Sequence, residues 1–144
     1  MGKARSCIAS ALLFTLIIMA VSGPSMNAQS GASPEDKLTR LLIIFDGSRS
    51  MHARWEREQK IDLAKRLLGG LLDSLQSHHS ARLELALRVY GHQSPVPPQD
   101  CEDSRLEIPF APQNFPRLKN YIRSLSPKGT TPLAYSLEQA AGDF

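Results

Sequence analysis

The sequence predicts an α/β layered domain, with a central sheet lying between helices. Three observations carry that prediction. Leu41 to Phe45 is a short, continuous apolar run, the pattern of a strand covered on both faces. Glu58 to Gln76 repeats its apolar residues at helical spacing. Ala81 to Tyr90 alternates Leu83, Leu85 and Leu87 with Arg82, Glu84 and Ala86, as a strand with one wet face or an edge position does. Strands and amphipathic helices following one another in this order pack as layers.

The elements follow in order. Residues 41–45 form the first strand, expected to be the most buried. In the helix that follows, Ile61, Ala64, Leu67, Leu68, Leu71, Leu72 and Leu75 form one broad apolar stripe, expected to face the sheet. Gly69-Gly70 interrupts it at about 1 kcal/mol per glycine, which fits either a close approach to the sheet or a kink. After the alternating strand, Gly91 to Ser104 is a polar, proline-bearing loop that holds Cys101. Leu106 to Phe110 reads as a short strand that Pro109 confines to a sheet edge. Asn114 to Leu125 is a helix with Phe115, Leu118, Ile122 and Leu125 on one side. Ser126 to Pro132 is a loop, and a last helix begins at Leu133. Three strands make a thin sheet, so exposed apolar surface is expected.

The first 28 residues are set apart. Lys3 and Arg5 precede an apolar core, Ile8 to Val21, and Gly23, Pro24 and Ala28 follow. This is the layout of a secretory signal peptide, and it implies a secreted or periplasmic protein. An uncleaved membrane anchor is the alternative. Residues 29–38 are a polar tether, and the domain proper is expected over residues 39–144. Cleavage after Ala28 removes Lys3 and Arg5 and lowers the formal charge from +3 to +1. The basic excess therefore belongs mainly to the export segment. With no basic stripe interleaved with aromatics, nucleic acid is not an expected partner. Cys101 is the one cysteine after the export segment. It pairs with another chain, or stays a buried thiol, or has its partner beyond residue 144. Zinc would need more ligands than His92 and Cys101 supply.

The chemistry centres on the end of the first strand. Ligands in open α/β sheets bind beyond the carboxyl ends of the strands, where Asp46-Gly47-Ser48-Arg49-Ser50 lies. Asp46, Ser48 and Ser50 offer hard oxygen donors of the kind Mg²⁺ takes. Gly47 lets the backbone bend. Such residues also cap helices and close turns without any metal. A second stretch, Gly129-Thr130-Thr131-Pro132, precedes the last helix. Thr131 and Pro132 read as an N-cap and first-turn pair, and the Thr131 hydroxyl is also a candidate ligand.

Together these stretches resemble the von Willebrand factor type A domain in its bacterial secreted form. The resemblance rests on Asp46-x-Ser48-x-Ser50 followed by Met51, and on Thr131 in a glycine-containing loop before a proline and a helix. It covers roughly residues 39–144. It implies a Rossmann-like three-layer sandwich with a mostly parallel sheet and one antiparallel edge strand. It also implies a metal-ion-dependent adhesion site for Mg²⁺, Mn²⁺ or Ca²⁺. In that site Ser48 and Ser50 are direct ligands, Thr131 a conformation-dependent ligand and Asp46 an inner- or outer-shell carboxylate. The implied partner is a protein that contributes an acidic residue to the metal, and the implied role is binding without catalysis. The sequence departs from the family in two places. Arg49 stands where glycine is usual, and the family's later aspartate and later strands are not found up to Phe144. The chain is therefore expected to be the N-terminal portion of such a domain, or a degenerate copy in which these residues only shape turns. A third reading is an envelope hydrolase using Ser48 or Ser50 with His52, although no Gly-x-Ser-x-Gly elbow occurs.

Overall fold

The computed structural model describes residues 37–79 and 82–144. The expected export segment lies outside the described residues, as does the tether up to residue 36. The first strand, β1, spans Thr39–Asp46 and is followed by a 3₁₀ turn, Arg49–His52. A two-stranded ribbon, β2 (Arg54–Trp55) and β3 (Glu58–Gln59), leads into α1, Lys60–His79. Then come β4 (Leu83–Tyr90), β5 (Ser104–Pro112), α2 (Phe115–Ser124) and α3 (Leu133–Ala140). The main sheet has the order β1-β4-β5. The β1–β4 pair is parallel and the β4–β5 pair antiparallel. The sheet is therefore mixed, and β5 is the expected edge strand.

Side-chain alternation sorts the sheet into two faces. Leu83, Leu85, Leu87 and Val89 of β4 join Phe45 of β1 and Ile108 of β5 on one face. Ile61 and Leu72 of α1 pack there, with Phe115, Leu118 and Ile122 of α2. Lys65 of α1 ties the two helices together, donating from Nζ to Leu125 O at 2.7 Å and Arg123 O at 3.1 Å. A cation on the open carbonyls of a helix end satisfies them and complements the dipole. The other face carries Glu84, Ala86, Arg88 and Tyr90, and α3 packs over β4 and β5 with Ser136 and Ala140 buried.

Two strands exchange their expected roles. The apolar run of β1 predicts the most buried strand, yet β1 is an outer strand of the described sheet, and Leu42 and Ile44 are only half-buried. The alternating β4 predicts a wet face, yet it is the central strand and seven of its eight residues are buried. Its polar residues are neutralised in place. Arg88 meets Asp143 through two hydrogen bonds of 2.6 Å, Nε to Oδ2 and Nη2 to Oδ1, and also reaches Ser104 Oγ at 3.1 Å. At the strand's start, Glu84 accepts from Arg40 Nε at 3.0 Å. A paired charge passes for a solvent-facing one when only hydrophobic periodicity is read.

The broad stripe of α1 also divides. Leu72 is fully buried, but Leu67 and Leu71 are 61% and 50% exposed. Gly69 and Gly70 are not explained by a close approach to the sheet, because a Cβ on either would meet no atom within 4 Å. Nor do they break the helix, which runs unbroken for 20 residues. Exposed apolar surface occurs as expected, at Leu38, Leu133, Leu137 and Phe144 among others.

The side chains of Arg88 and Asp143 are only 8% and 7% exposed. Breaking a buried pair on one side leaves an uncompensated charge. Asp143→Ala should therefore lower unfolding stability by about 3–5 kcal/mol, read by urea denaturation. The double change Arg88→Met with Asp143→Leu should recover most of that loss. Equal losses in the single and double variants would show that the pair does not hold α3's end to the sheet.

Candidate metal centre

β1 ends at Asp46, and the chain turns at Gly47 onto the 3₁₀ turn. The turn is built by the expected residues, though not as helix caps. Ser48 N donates to Asp46 Oδ1 at 2.7 Å, an Asx-type turn. Ser48 stands at the N-cap of the 3₁₀ turn, yet its side chain makes no capping bond. Its hydroxyl lies instead 3.0 Å from that of Ser50. Ser48 is 1% exposed, while Ser50 is exposed. The two hydroxyls thus form a pair that runs from the interior to the surface.

That separation is a fit test for a hard cation. Octahedral Mg²⁺ holds oxygens at about 2.0–2.1 Å, so two ligands at a right angle lie about 3.0 Å apart. The Ser48 and Ser50 hydroxyls already have that spacing, next to a carboxylate. The donor set is all oxygen. Among the described residues, no group of three His, Cys, Asp or Glu comes together to offer a different kind of metal site.

The loop carrying Thr131 is brought to the same place. Ser48 and Gly129 form an isolated parallel bridge. Arg49 N donates to Gly129 O at 2.8 Å and Lys128 N to Gly47 O at 3.1 Å. A third loop lies beneath both, because Gly129 N donates to Gly91 O at 2.7 Å and Gly47 N to Tyr90 O at 2.8 Å. Three glycines make this junction. A Cβ on Gly47 would lie 2.8 Å from His92 Cβ. On Gly129 it would lie 2.6 Å from Ser94 O. Gly91 has φ of +68°, and a Cβ there would lie 2.1 Å from Thr130 O. Only glycine fits such approaches and that conformation.

The two threonines separate by use. Thr130 Oγ1 donates to Asp100 O and so fastens the loop. Thr131 is exposed, and its hydroxyl makes no hydrogen bond among the described residues. Thr131 is not the expected N-cap, since α3 starts at Leu133 with Pro132 in the cap position. The Thr131 carbonyl takes the Leu133 N–H at 2.9 Å. The Arg49 side chain is exposed and only its backbone serves the junction. Asp143 is committed to Arg88 on the α3 side of the sheet.

His52 does not engage either serine. Its Nε2 lies 3.1 Å from Pro127 O, so no serine–imidazole hydrogen bond is formed. Trp55 is 58% exposed in the ribbon after the 3₁₀ turn. Cys101 is exposed, so it is not a buried thiol.

Sequence reasoning missed two supports. Tyr90 sits opposite Asp46 in the parallel register, and its phenol is pushed up to about 12, first by burial and then by the neighbouring Asp46 carboxylate. Its position at the end of the paired strand was the available signal. The second is Asp103, whose carboxylate is buried and accepts from Gln93 N at 3.0 Å and Ser94 N at 3.0 Å. It holds the loop after Gly91. His92, also buried, lies beside it and places Nε2 2.7 Å from Glu107 Oε1. Nothing in the local sequence marks these long-range pairs.

Comparison with known proteins agrees with the fold and adds no activity. No family model matches the chain. The chain is 27% identical over 133 residues to the uncharacterized protein YwmD of Bacillus subtilis (strain 168), covering 90% of this chain and 55% of that protein. It is 22% identical over 135 residues to the uncharacterized protein YwmC of the same organism, covering 94% and 60%. The chain thus spans little more than half the length of the curated relatives it matches. Among solved structures it is similar to the conserved hypothetical protein BatB from Bacteroides thetaiotaomicron. That match has a TM-score of 0.55 and 22% identity, over 73% of this chain and 45% of the other. This likeness shows the α/β fold.

Two predictions follow from the geometry. Gly129→Ala drives a Cβ against Ser94 O and Asp103 Oδ2. It should cost about 2–3 kcal/mol, the range of strained or overpacked sites, read by chemical denaturation. An unchanged midpoint would show that the junction has slack. The second concerns alkaline pH. Tyr90 and Tyr121 are both raised from 10.0 to about 12, so the folded chain holds these protons longer than the unfolded one. The stability this contributes is complete below about pH 10 and is lost as pH rises towards about 12. Tyr90→Phe should flatten that decline and remove one late step from the phenolate absorbance titration.

Proposed function

We propose that this domain is a von Willebrand factor type A-like module. On this reading it binds a protein or surface ligand through a divalent cation, Mg²⁺ in the first place, with Mn²⁺ or Ca²⁺ as substitutes. The observation that carries the reading is the 3.0 Å Ser48–Ser50 hydroxyl pair beside Asp46. Neither serine side chain is spent on a helix cap. Ser48 and Ser50 would hold the cation directly. Asp46 would face it as an inner- or outer-shell carboxylate, and Thr131 would join from the loop fastened at Gly129. The cation would supply a fixed positive charge that an acidic side chain of the partner can meet. The Ser48 backbone N–H keeps Asp46 oriented, and the buried Tyr90 keeps water from one side of it.

The reading is of binding: His52 Nε2 lies at Pro127 O, and the Ser48 and Ser50 hydroxyls pair with each other. Export to the periplasm or beyond is part of the proposal and rests on the layout of residues 1–28.

Thermal unfolding tests it. A cation at about ten times its Kd stabilises by about 1.4 kcal/mol, which raises Tm by about 5 °C or more. Ser48→Ala with Ser50→Ala should abolish the rise, read for each protein as the difference in Tm with and without metal, because Ser48 is buried and its loss lowers the metal-free Tm by itself. A Tm unmoved by millimolar Mg²⁺, Mn²⁺ and Ca²⁺ would sink the metal reading and leave a degenerate copy.

A further inference from the structure

The outward face of α1 combines exposed leucines and glycines with ion-paired charges. Leu63, Leu67, Gly70 and Ser74 follow one another at i, i+4, i+7 and i+11, so they share a stripe. Arg66, Gly70, Asp73 and Ser77 form a second stripe at the same spacing. Gly70 is where the two cross. Ile61, Ala64, Leu68, Leu72 and Leu75 occupy the opposite side and pack on the sheet. The outward side therefore has an apolar flank, with Leu67 and Leu71 half or more exposed. It also has a charged flank, with the Arg66 and Asp73 side chains 62% and 71% exposed. Between them lies Gly69-Gly70, where a Cβ would meet no atom of the described residues within 4 Å, at the edge of a groove shared with Lys119, Ile122 and Arg123 of α2.

We propose that this face docks a second copy of the same chain, with the two α1 helices antiparallel and the two-fold axis at the Gly69–Gly70 bond. Charge complementarity selects this occupant. An antiparallel pair brings together positions equidistant from that bond. Arg66 lies three residues before Gly69, and Asp73 three residues after Gly70. Each Arg66 then meets Asp73 of the other copy, twice, on one flank. On the other flank the exposed Leu67 of each copy lies one residue, about 1.5 Å along the axis, from exact register with Leu71 of its mate, so the two pack side by side. The glycines allow the helix axes to approach closely, as small residues do at helix crossings. A two-fold interface requires a self-complementary patch, and this one complements itself in both charge and apolar surface.

The existing ion pairs fit the arrangement. Arg66 is bonded to Glu58 and Asp73 to Lys119 within one copy. Adding the cross-copy contact joins them into the alternating row Glu58, Arg66, Asp73, Lys119. Alternating charge avoids like-sign contact along the whole flank. The glycine pair, which costs helix stability in the monomer, thereby acquires a role.

Sedimentation equilibrium of the 144-residue chain, with and without charge exchange, tests the proposal. The wild type should show a reversible monomer–dimer equilibrium. Arg66→Asp alone and Asp73→Arg alone each place like charges together at two positions. Each should weaken the dimer about tenfold or more. The double variant restores opposite charges across the axis but sets like charges against Glu58 and Lys119 within each copy, so it should dimerise more tightly than either single variant and less tightly than wild type. Gly70→Arg, which replaces the glycine with a stronger helix former and fills the glycine strip, should give monomer. Circular dichroism and Tm of each variant separate lost folding from lost pairing. A wild-type chain that is monomeric at all concentrations overturns the proposal. So does an assembly that survives the single reversals, since that assembly would be held elsewhere. The outcome is independent of Mg²⁺ and of Ser48 and Ser50, so it stands or falls apart from the metal reading.

Discussion

The candidate site depends on three stretches of backbone touching with no side chain between them. Gly47, Gly91 and Gly129 stand at the ends of three separate segments, after β1, after β4 and before α3. Their mutual hydrogen bonds hold the loop of Asp46, Ser48 and Ser50 against the loop of Thr131. Any Cβ at these points would collide with backbone or a buried side chain. The constraint is stricter than a need for flexible turns. Only Gly91 has a positive φ; Gly47 and Gly129 are glycines because of what stands beside them. The backbones that carry the Ser48–Ser50 hydroxyl pair and Thr131 are thereby held by main-chain contacts rather than by side-chain packing.

Behind that junction is a layer of buried polar groups. Asp103 receives the N–H groups of Gln93 and Ser94, and its carbonyl takes the Gly91 N–H at 2.8 Å. Tyr90 stands beside Asp46, and His92 is packed against Gly47 and bonded to Glu107. These groups come from two adjacent strands and the loop between them, so β4 and β5 position the site although they donate none of its candidate ligands. The same strands carry Arg88 and Ser104 to Asp143, which anchors the end of α3 and so the helix that follows Thr131.

The main-sheet strands and the helices were legible in the sequence, since each leaves a local periodic signal; the β2–β3 ribbon was not, because two-residue strands have no period, and Glu58–Gln59 read as helix. Burial was not. β1 reads as the innermost strand because Leu41 to Phe45 is wholly apolar, yet the sheet order puts it outside β4. Conversely, the alternation of β4 reads as a wet face, although Arg88 on that face is paired with Asp143, 55 positions away. The candidate ligands Asp46, Ser48 and Ser50 were legible because they sit in one pentapeptide. The separation of Thr130 from Thr131 by function was not, because it turns on the carbonyl of Asp100 in a distant loop. Hydrophobic period reports what a segment is; which charges it hides depends on contacts that local sequence does not encode.

The division of α1 follows from the same distinction. Seven apolar positions form one stripe on paper, but a helix packed on a sheet and one neighbouring helix buries only part of so wide an arc. Leu68 and Leu72 go inward, while Leu67 and Leu71 fall on the flank beyond α2's reach. Antiparallel pairing on that flank has a consequence for binding. The Ser48–Ser50 loop lies at the N-terminal end of α1, and a 20-residue helix is about 30 Å long. Two antiparallel copies would therefore carry their loops at opposite ends of the pair, both open, neither screening the other. Under the metal-site proposal, a ligand presenting repeated acidic groups at that spacing would engage both copies, and the second contact would form at an effective concentration set by the pair.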